Sequence, residues 1–449
     1  MTVAGTEVEE AFSYIESFTN LERNSGGSMR PYRLDRMTAL LELFNHPERS
    51  FRTIHIAGSK GKGSTAAFLS SILACMGERT GVYTSPHVSS YRERIRLADE
   101  EIPDDIYSEI VDKIRLEISA LSPGTLPGQD EPTTFELLTL LSYLTFQRLG
   151  CTWAVIETGI GGRLDATNVL QPEAVVITPI EHEHVEVLGY SAAKIAWEKA
   201  GIIKPGIPSF GGYLGREAES VVRGVARKRG SSLSLLREVV ASIESSVDLA
   251  GTSVHTRWKE GGESRHRLSM IGNFQAENAT LAELVIRKLV ATELPEDKGE
   301  VDRIIHQGLL EAKLPGRMEL VPGSPPILLD AAHTSGSALR LLETYRELCT
   351  KPGILIFGSV LGKNASAMAE IMGPQFEKVV VSTPGSFKQS NPEQVLEEFL
   401  RHNKHSYLES DPKEALRLAR DFAGHECSIL VAGSFYMVAE IRKLLQTGD

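Results

Sequence analysis

The chain contains no apolar run approaching the roughly 20 residues that a spanning helix requires, so no membrane-crossing helix and no membrane partner are expected. Cysteine is scarce. Its four copies, Cys75, Cys151, Cys349 and Cys427, stand singly without CxxC spacing, which argues against a disulfide framework and a zinc site. We read them as buried thiols. Positive charge is in deficit, with 48 Lys and Arg against 59 Asp and Glu and a formal net charge of −11. Such a molecule has no overall field for gripping nucleic acid, so any anionic substrate must be held locally. The first ten residues carry neither a basic nor an apolar leader segment, and the expected address is cytoplasmic. Internal repeats and low-complexity tracts are also lacking.

What is present is an ordinary globular composition over 449 residues, 41% hydrophobic and 24% charged, enough for two or three domains. Continuous apolar, β-branched runs recur at residues 53–57, 153–157, 174–178, 327–330, 354–357, 378–382 and 428–432. Runs that do not alternate belong to strands buried on both faces, hence to parallel sheets covered by helices. Apolar positions at three-to-four spacing predict those helices over 64–76, 132–148, 276–290, 337–348 and 392–402. The class is α/β. Residues 211–267 mix basic, serine-rich and short apolar pieces and read as an antiparallel edge or small subsheet. Proline and glycine crowd residues 314–326, so the boundary is expected there, with domains at 1–313 and 314–449. Residues 24–33 read as a surface loop rather than a lid.

The most informative segment is Gly58-Ser59-Lys60-Gly61-Lys62-Gly63-Ser64-Thr65, which follows an apolar strand and opens a helix. Glycines let backbone N–H groups turn inward around phosphate oxygens, the helix N-terminus adds its positive dipole end, and Lys62 reaches the outer phosphates. The loop departs from G-x-x-x-x-G-K-[ST], because position 56 is Ile and Gly63 separates Lys62 from Ser64. A second feature is Glu157 at the end of an apolar strand, where open α/β sheets place ligands and where a carboxylate suits Mg²⁺.

The loop resembles the G-[TS]-x-G-K-G-[ST] form of the Mur ligase superfamily, and in particular its folylpolyglutamate synthase and dihydrofolate synthase branch. Further segments resemble that branch in order and spacing: Thr84 to His87, Tyr91 to Ile95, Thr134 to Thr139, Glu157 to Asn168, Glu198 to Ile202, Leu314 to Arg317 and Leu329 to His333. The likeness runs over nearly the whole chain. It implies an N-terminal Mur-ligase-type ATPase domain with a mainly parallel sheet and a smaller, Rossmann-like C-terminal domain for the glutamate ligase step.

Site residues follow from the same resemblance. Ser85, Glu157 and His184 correspond to magnesium ligands; His184 is selected by its distance from Leu188-Gly189, which puts Glu183 in the place of the family's Asp. His182 is an extra, and an H-x-H pair without a third Cys or His does not make a zinc site. Lys199 of Glu198-Lys199-Ala200-Gly201 corresponds to a lysine carbamylated in the family, supporting a second magnesium, in preference to Lys194. Asn278 falls on the adenine side, Arg317 on phosphate and Asp330 on ribose; a guanidinium fork suits phosphate. His333 is carried over as a catalytic residue with Lys62 and Lys199, but Thr334, Ser335 and Asn364 depart from the family pattern.

The resemblance implies an ATP- and Mg²⁺-dependent ligase joining L-glutamate to folate, and also to dihydropteroate, through an acyl phosphate, acting as a monomer. Positioning and charge stabilisation between two closing domains would carry the catalysis. Three other readings stand beside it. They are a degenerate binding protein of the same fold, suggested by the altered positions 334, 335 and 364, a ligase acting on a UDP-sugar, and a generic phosphate-loop kinase or NTPase.

Overall fold

A computed structural model describes residues 3–20, 32–122, 124–290, 297–349, 351–385, 389–425 and 427–447; most of segment 24–33 lies outside them. Seven strands form the first sheet: β1 (Arg52–Ala57), β2 (Thr80–Tyr83), β3 (Ile95–Leu97), β4 (Trp153–Glu157), β5 (Ala174–Ile177), β6 (Ser209–Gly211) and β7 (Leu233–Leu235). Their order is β3-β2-β4-β1-β5-β6-β7, parallel except for β3 against β2. β1 lies between β4 and β5, with Ile54 opposite Val155 on one side and Ala174 on the other. The connection from β1 runs toward β2 and that from the adjacent β4 runs the opposite way to β5, so the C-terminal ends of β1 and β4 form a crevice of the kind where α/β sheets bind ligands.

Strands β8 (Val240–Asp248), β9 (Gly251–Trp258) and β10 (Glu263–Leu268) form a separate antiparallel sheet. The expectation of an antiparallel piece within 211–267 therefore holds only for its second part. The first part is the helix Arg216–Arg229 between parallel β6 and β7. Only Ala218, Val222 and Ala226 of that helix are buried. A stripe of two alanines and one valine, framed by arginine and glutamate, carries too little apolar signal to reveal its period.

The third sheet consists of β11 (Glu319–Val321), β12 (Ile327–Leu329), β13 (Ile354–Phe357), β14 (Lys378–Val381), β15 (Ser406–Leu408) and β16 (Ile429–Ala432). Its order is β11-β12-β16-β13-β14-β15, parallel apart from β11. Strands β12, β13 and β16 are buried throughout, as their unbroken apolar runs require. The helices foreseen from periodicity occur as Lys62–Cys75, Thr134–Arg148, Asn273–Leu289, Ser335–Leu348 and Pro392–Leu400. Thr133 starts the second of these with a capping box: Glu136 N–H donates to Thr133 Oγ1, and Thr133 N–H donates to Glu136 Oε2 at 2.7 Å.

All four cysteines are free, but only Cys151 is buried; Cys75, Cys349 and Cys427 are half-buried. The last three lie near element ends, where burial is incomplete. No described helix is long and apolar enough to cross a membrane.

Candidate active site

The phosphate loop leaves β1 at Ala57 and ends where the helix Lys62–Cys75 begins. Gly61 caps that helix at φ 84°, and a Cβ there would stand 2.3 Å from Asn278 Oδ1. No side chain fits this turn without strain. The loop is tied down from β5, since Ser59 N–H and Lys60 N–H both donate to Pro179 O, at 2.9 and 3.2 Å. Ser59 Oγ donates to Glu181 O at 3.0 Å. Ser64 and Thr65 are buried in the first turn, and Lys62 Nζ folds back onto Gly58 O at 3.0 Å. The amides at the start of the helix face the same space, and a phosphate there would take the ammonium from the carbonyl.

Glu157 closes β4 on the adjoining side. It is 4% exposed, yet its partners are distant: Lys62 Nζ at 3.6 Å and Ser85 N–H at 3.4 Å. Burial pushes its carboxyl above the ordinary value, against the pull of Lys62. A buried carboxylate with so few close donors fits a hard divalent cation, which takes a few protein oxygens and fills its remaining positions with phosphate and water. Ser85 lies beside it, as expected. His184 is exposed, in the left-handed region at φ 46°, where it opens the short helix Val185–Leu188, and its ring lies within electrostatic reach of Glu183, Lys199 and Lys62. Among the described residues, no three or more His, Cys, Asp and Glu side chains converge as a metal cluster.

Lys199 is 1% exposed, whereas Lys194 on the same helix is exposed. Lys199 Nζ donates to Gly58 O at 2.7 Å and to Glu183 Oε1 at 2.8 Å. Burial pulls its ammonium down to about 8, with Glu183 opposing. Burial alone would raise Glu183, but Lys62 and Lys199 outweigh it and hold the carboxyl at about 2.

The second unit presents its residues to this crevice through several contacts. Arg340, on the helix Ser335–Leu348, forms an ion pair with Glu181. Arg442 reaches Glu319 at 3.0 Å and Glu93 at 3.4 Å. Leu314 packs beside Gly63. Arg317 lies over the Phe435 ring at 4.7 Å and within electrostatic reach of Glu157 and Lys60. Asp330 accepts from Met318 N–H at 2.9 Å and Ala332 N–H at 2.8 Å, while burial raises its carboxyl. His333 donates from Nδ1 to Ala331 O at 2.9 Å, which leaves Nε2 as its acceptor, and burial draws the ring down to about 4. Asn278, from the helix Asn273–Leu289, donates to Gln275 Oε1 at 3.0 Å and borders Gly61.

The residues that depart from the family pattern have local work. Thr334 caps the helix Ser335–Leu348, accepting from Ser337 N–H at 3.3 Å; Asn364 caps Ala365–Met372, accepting from Ala367 N–H at 3.0 Å.

Sequence reasoning assigned no role to Glu183, Asp165 or Arg36. Asp165, inside the quoted 157–168 segment, accepts from Gly159 N–H at 2.9 Å, Ile160 N–H at 3.1 Å and Thr167 Oγ1 at 2.5 Å. It lines a narrow pocket with Arg36, Phe135, Glu136, Gly159 and Ala166. Arg36 is 1% exposed and pairs with Glu136 at 2.8 Å, while its Nη1 makes no hydrogen bond and faces the Asp130 carboxylate at 3.6 Å. The signal available in sequence was an arginine and a glutamate, 100 residues apart, each at a helix position otherwise expected to be apolar.

The chain matches two family models, one described as "Mur ligase middle domain" over residues 56–286, the other as "Mur ligase, glutamate ligase domain" over residues 316–435. It is 32% identical over 415 residues to a Bacillus subtilis dihydrofolate synthase/folylpolyglutamate synthase, covering 92% of this chain and 95% of that protein. A Lacticaseibacillus casei folylpolyglutamate synthase is 30% identical over 442 residues, 98% of this chain and 99% of the relative. Among solved structures, a Thermotoga maritima folylpolyglutamate synthase superposes with a TM-score of 0.84 at 30% identity, covering 99% and 98% of the two chains. A Mycobacterium tuberculosis folylpolyglutamate synthase complexed with ADP gives 0.87 at 25% identity, covering 98% and 99%. A phosphate loop at the end of β1, a buried carboxylate beside it and a second α/β unit facing both thus accompany similarity along the full length, and the chain belongs to the folylpolyglutamate synthase and dihydrofolate synthase family of Mur ligases.

Proposed function

We propose that the protein is an ATP-dependent ligase that adds L-glutamate to folates and also to dihydropteroate. The observation that carries this reading is the meeting of Lys62, Glu157 and Lys199 around one phosphate loop, faced by Arg317, Asp330 and His333 from the other unit. We take residues 1–313 and 314–449 as the two working domains. Both halves of the site come from one chain, so a monomer suffices.

A carboxylate is a poor electrophile at neutral pH. In the proposed sequence, a carboxylate oxygen of the substrate attacks the γ-phosphorus, the bond to the β-γ bridging oxygen breaks, and ADP leaves. The amine of glutamate then attacks the acyl carbon, phosphate departs with the C–O electron pair, and the nitrogen loses a proton. Lys62 and the loop amides offset charge gathering on the transferring oxygens. The unprotonated Nε2 of His333 is a neutral hydrogen-bond acceptor for the incoming amine.

Glu157, Ser85 and His184 would hold magnesium; when bound, it neutralises phosphate charge. We assign Lys199 as the site of carbamylation: its free amine takes up CO₂, forming an N–C bond and releasing one proton, and the product is an anion beside the loop. Asn278 receives the adenine side of ATP, Asp330 the ribose and Arg317 the phosphates.

The pocket at Phe135 and Asp165 suits a flat heterocycle with adjacent donors and an acceptor, which describes a pterin. The Phe135 face supports the ring, the Arg36 guanidinium donates from an Nη1 that faces Asp130 at 3.6 Å without a hydrogen bond, and the turn held by Asp165 forms the wall.

The test is ADP release with Mg-ATP and L-glutamate, run in parallel with dihydropteroate and with tetrahydrofolate, products identified by mass. Turnover with both is expected. Turnover with tetrahydrofolate alone would remove the dihydropteroate step, and ATP binding without turnover would favour the degenerate-protein reading.

A further inference from the structure

His55 lies in the middle of β1, opposite Ile156 and Val175, and is completely buried. Its neighbours Ile54 and Ile56 are apolar, as a strand sandwiched between helices requires. The His55 ring takes part in one hydrogen bond, from Nε2 to Thr167 Oγ1 at 2.8 Å, while Nδ1 has no partner. The direction of that bond is decided by the next one. Thr167 has a single hydroxyl hydrogen and donates it to Asp165 Oδ1 at 2.5 Å, so its oxygen must accept, and His55 carries its proton on Nε2. Nδ1 is therefore a bare lone pair in the core, a group whose burial is unfavourable.

We propose that His55 is a positioning residue for the substrate, acting through Thr167 and the Asp165 carboxylate to fix the turn at Gly159 and Ile160 that walls the pterin pocket. The proposal rests on the reading of that pocket given above. A role in packing alone does not account for His55, because an isoleucine or leucine would fill the strand and leave no orphaned nitrogen. A donor at Nε2 polarises the Thr167 hydroxyl and strengthens its bond to Asp165. Burial raises the Asp165 carboxyl, and its donors from Thr167, Gly159 and Ile160 counter that effect. His55 itself, held down to about 3 by burial, stays neutral and does not reverse its donor role across working pH. Since β1 continues directly into Gly58, one strand carries both the phosphate loop and the support of the pocket wall.

The experiment compares H55L, H55Q, T167V and T167S in the complete protein by KM for dihydropteroate or tetrahydrofolate, KM for ATP, and thermal unfolding. H55L and T167V are expected to raise KM for the pterin substrate on the order of tenfold, with KM for ATP nearly unchanged. H55Q supplies an N–H near the position of Nε2, T167S restores the hydroxyl, and each should recover most of the loss. A general fall in kcat with both KM values unchanged would overturn the proposal, as would H55L behaving like the parent. Should H55L not fold, the T167V and T167S pair carries the decision by the same criteria. A parent protein that turns over neither pterin substrate removes the functional reading and this inference together, whereas an active parent with indifferent variants removes this inference alone.

Discussion

Lys199 and Glu183 form an ion pair at 2.8 Å behind the phosphate loop, with the lysine side chain 2% exposed and the glutamate 19%. The same lysine also donates to Gly58 O, so the loop and the helix Ala192–Ala200 share one ammonium. Burial sets that ammonium at about 8, and the free amine that takes up CO₂ grows as pH rises through this value. ADP release is therefore expected to climb between about pH 7 and about pH 9 and to be stimulated by bicarbonate. The peptide bearing Lys199 should gain the mass of one CO₂ under native conditions. K199R keeps a cation but forms no such carbamate, and its activity should be lost. A flat profile without added mass would sink the carbamylation assignment.

Glu183 is held at about 2, below its ordinary 4.5. A depressed carboxyl contributes stability that is complete above the unfolded value and disappears as pH falls through the folded one. Thermal unfolding of the parent should therefore show a loss between pH 4.5 and about 2 that is absent from E183Q. At neutral pH and without bicarbonate, E183Q leaves the unmodified Lys199 ammonium without its counter-charge, and a destabilisation of about 3 kcal/mol is expected from denaturant titration.

Lys62 stands between Gly58 O and Glu157, and its removal takes away both the cation of the phosphate cradle and the nearest counter-charge of Glu157. K62M is expected to lower kcat by roughly 10²- to 10³-fold, the range for deleting one preorganised donor to a charged transition state. Steady-state kinetics with saturating ATP separates this from a binding defect; a change confined to KM for ATP would contradict the assigned role.

Gly61 adopts φ 84°, and the Cβ of an alanine would come within 2.3 Å of Asn278 Oδ1. G61A should cost about 1 kcal/mol or more in stability through backbone strain. It should also weaken ADP binding, measured by calorimetry, because the loop amides and Asn278 move together. Unchanged ADP affinity would separate Asn278 from the nucleotide site.

Much of the architecture was legible along the chain. The unbroken runs at 153–157, 354–357 and 428–432 are fully buried parallel strands, because only helices on both faces tolerate such runs. Short strands such as Thr80–Tyr83, Ile95–Leu97 and Ser406–Leu408 were not, since three or four residues hold too few positions to show a period. The helix Arg216–Arg229 escaped for the related reason that its buried stripe is largely alanine.

The candidate site divides similarly. Glycines and a lysine between a strand and a helix specify a phosphate cradle, because backbone geometry near residue 61 depends on residues next to it in sequence. That local chemistry and the α/β class follow from the sequence. Which partner each charge acquires depends on contacts over long separations: Glu157 with Ser85, Lys199 with Gly58, Arg340 with Glu181, His55 with Thr167. Hydrogen bonds and desolvation are properties of neighbours in space, so only the tertiary structure turned a buried lysine into a group at about 8 and a strand histidine into a support for Asp165.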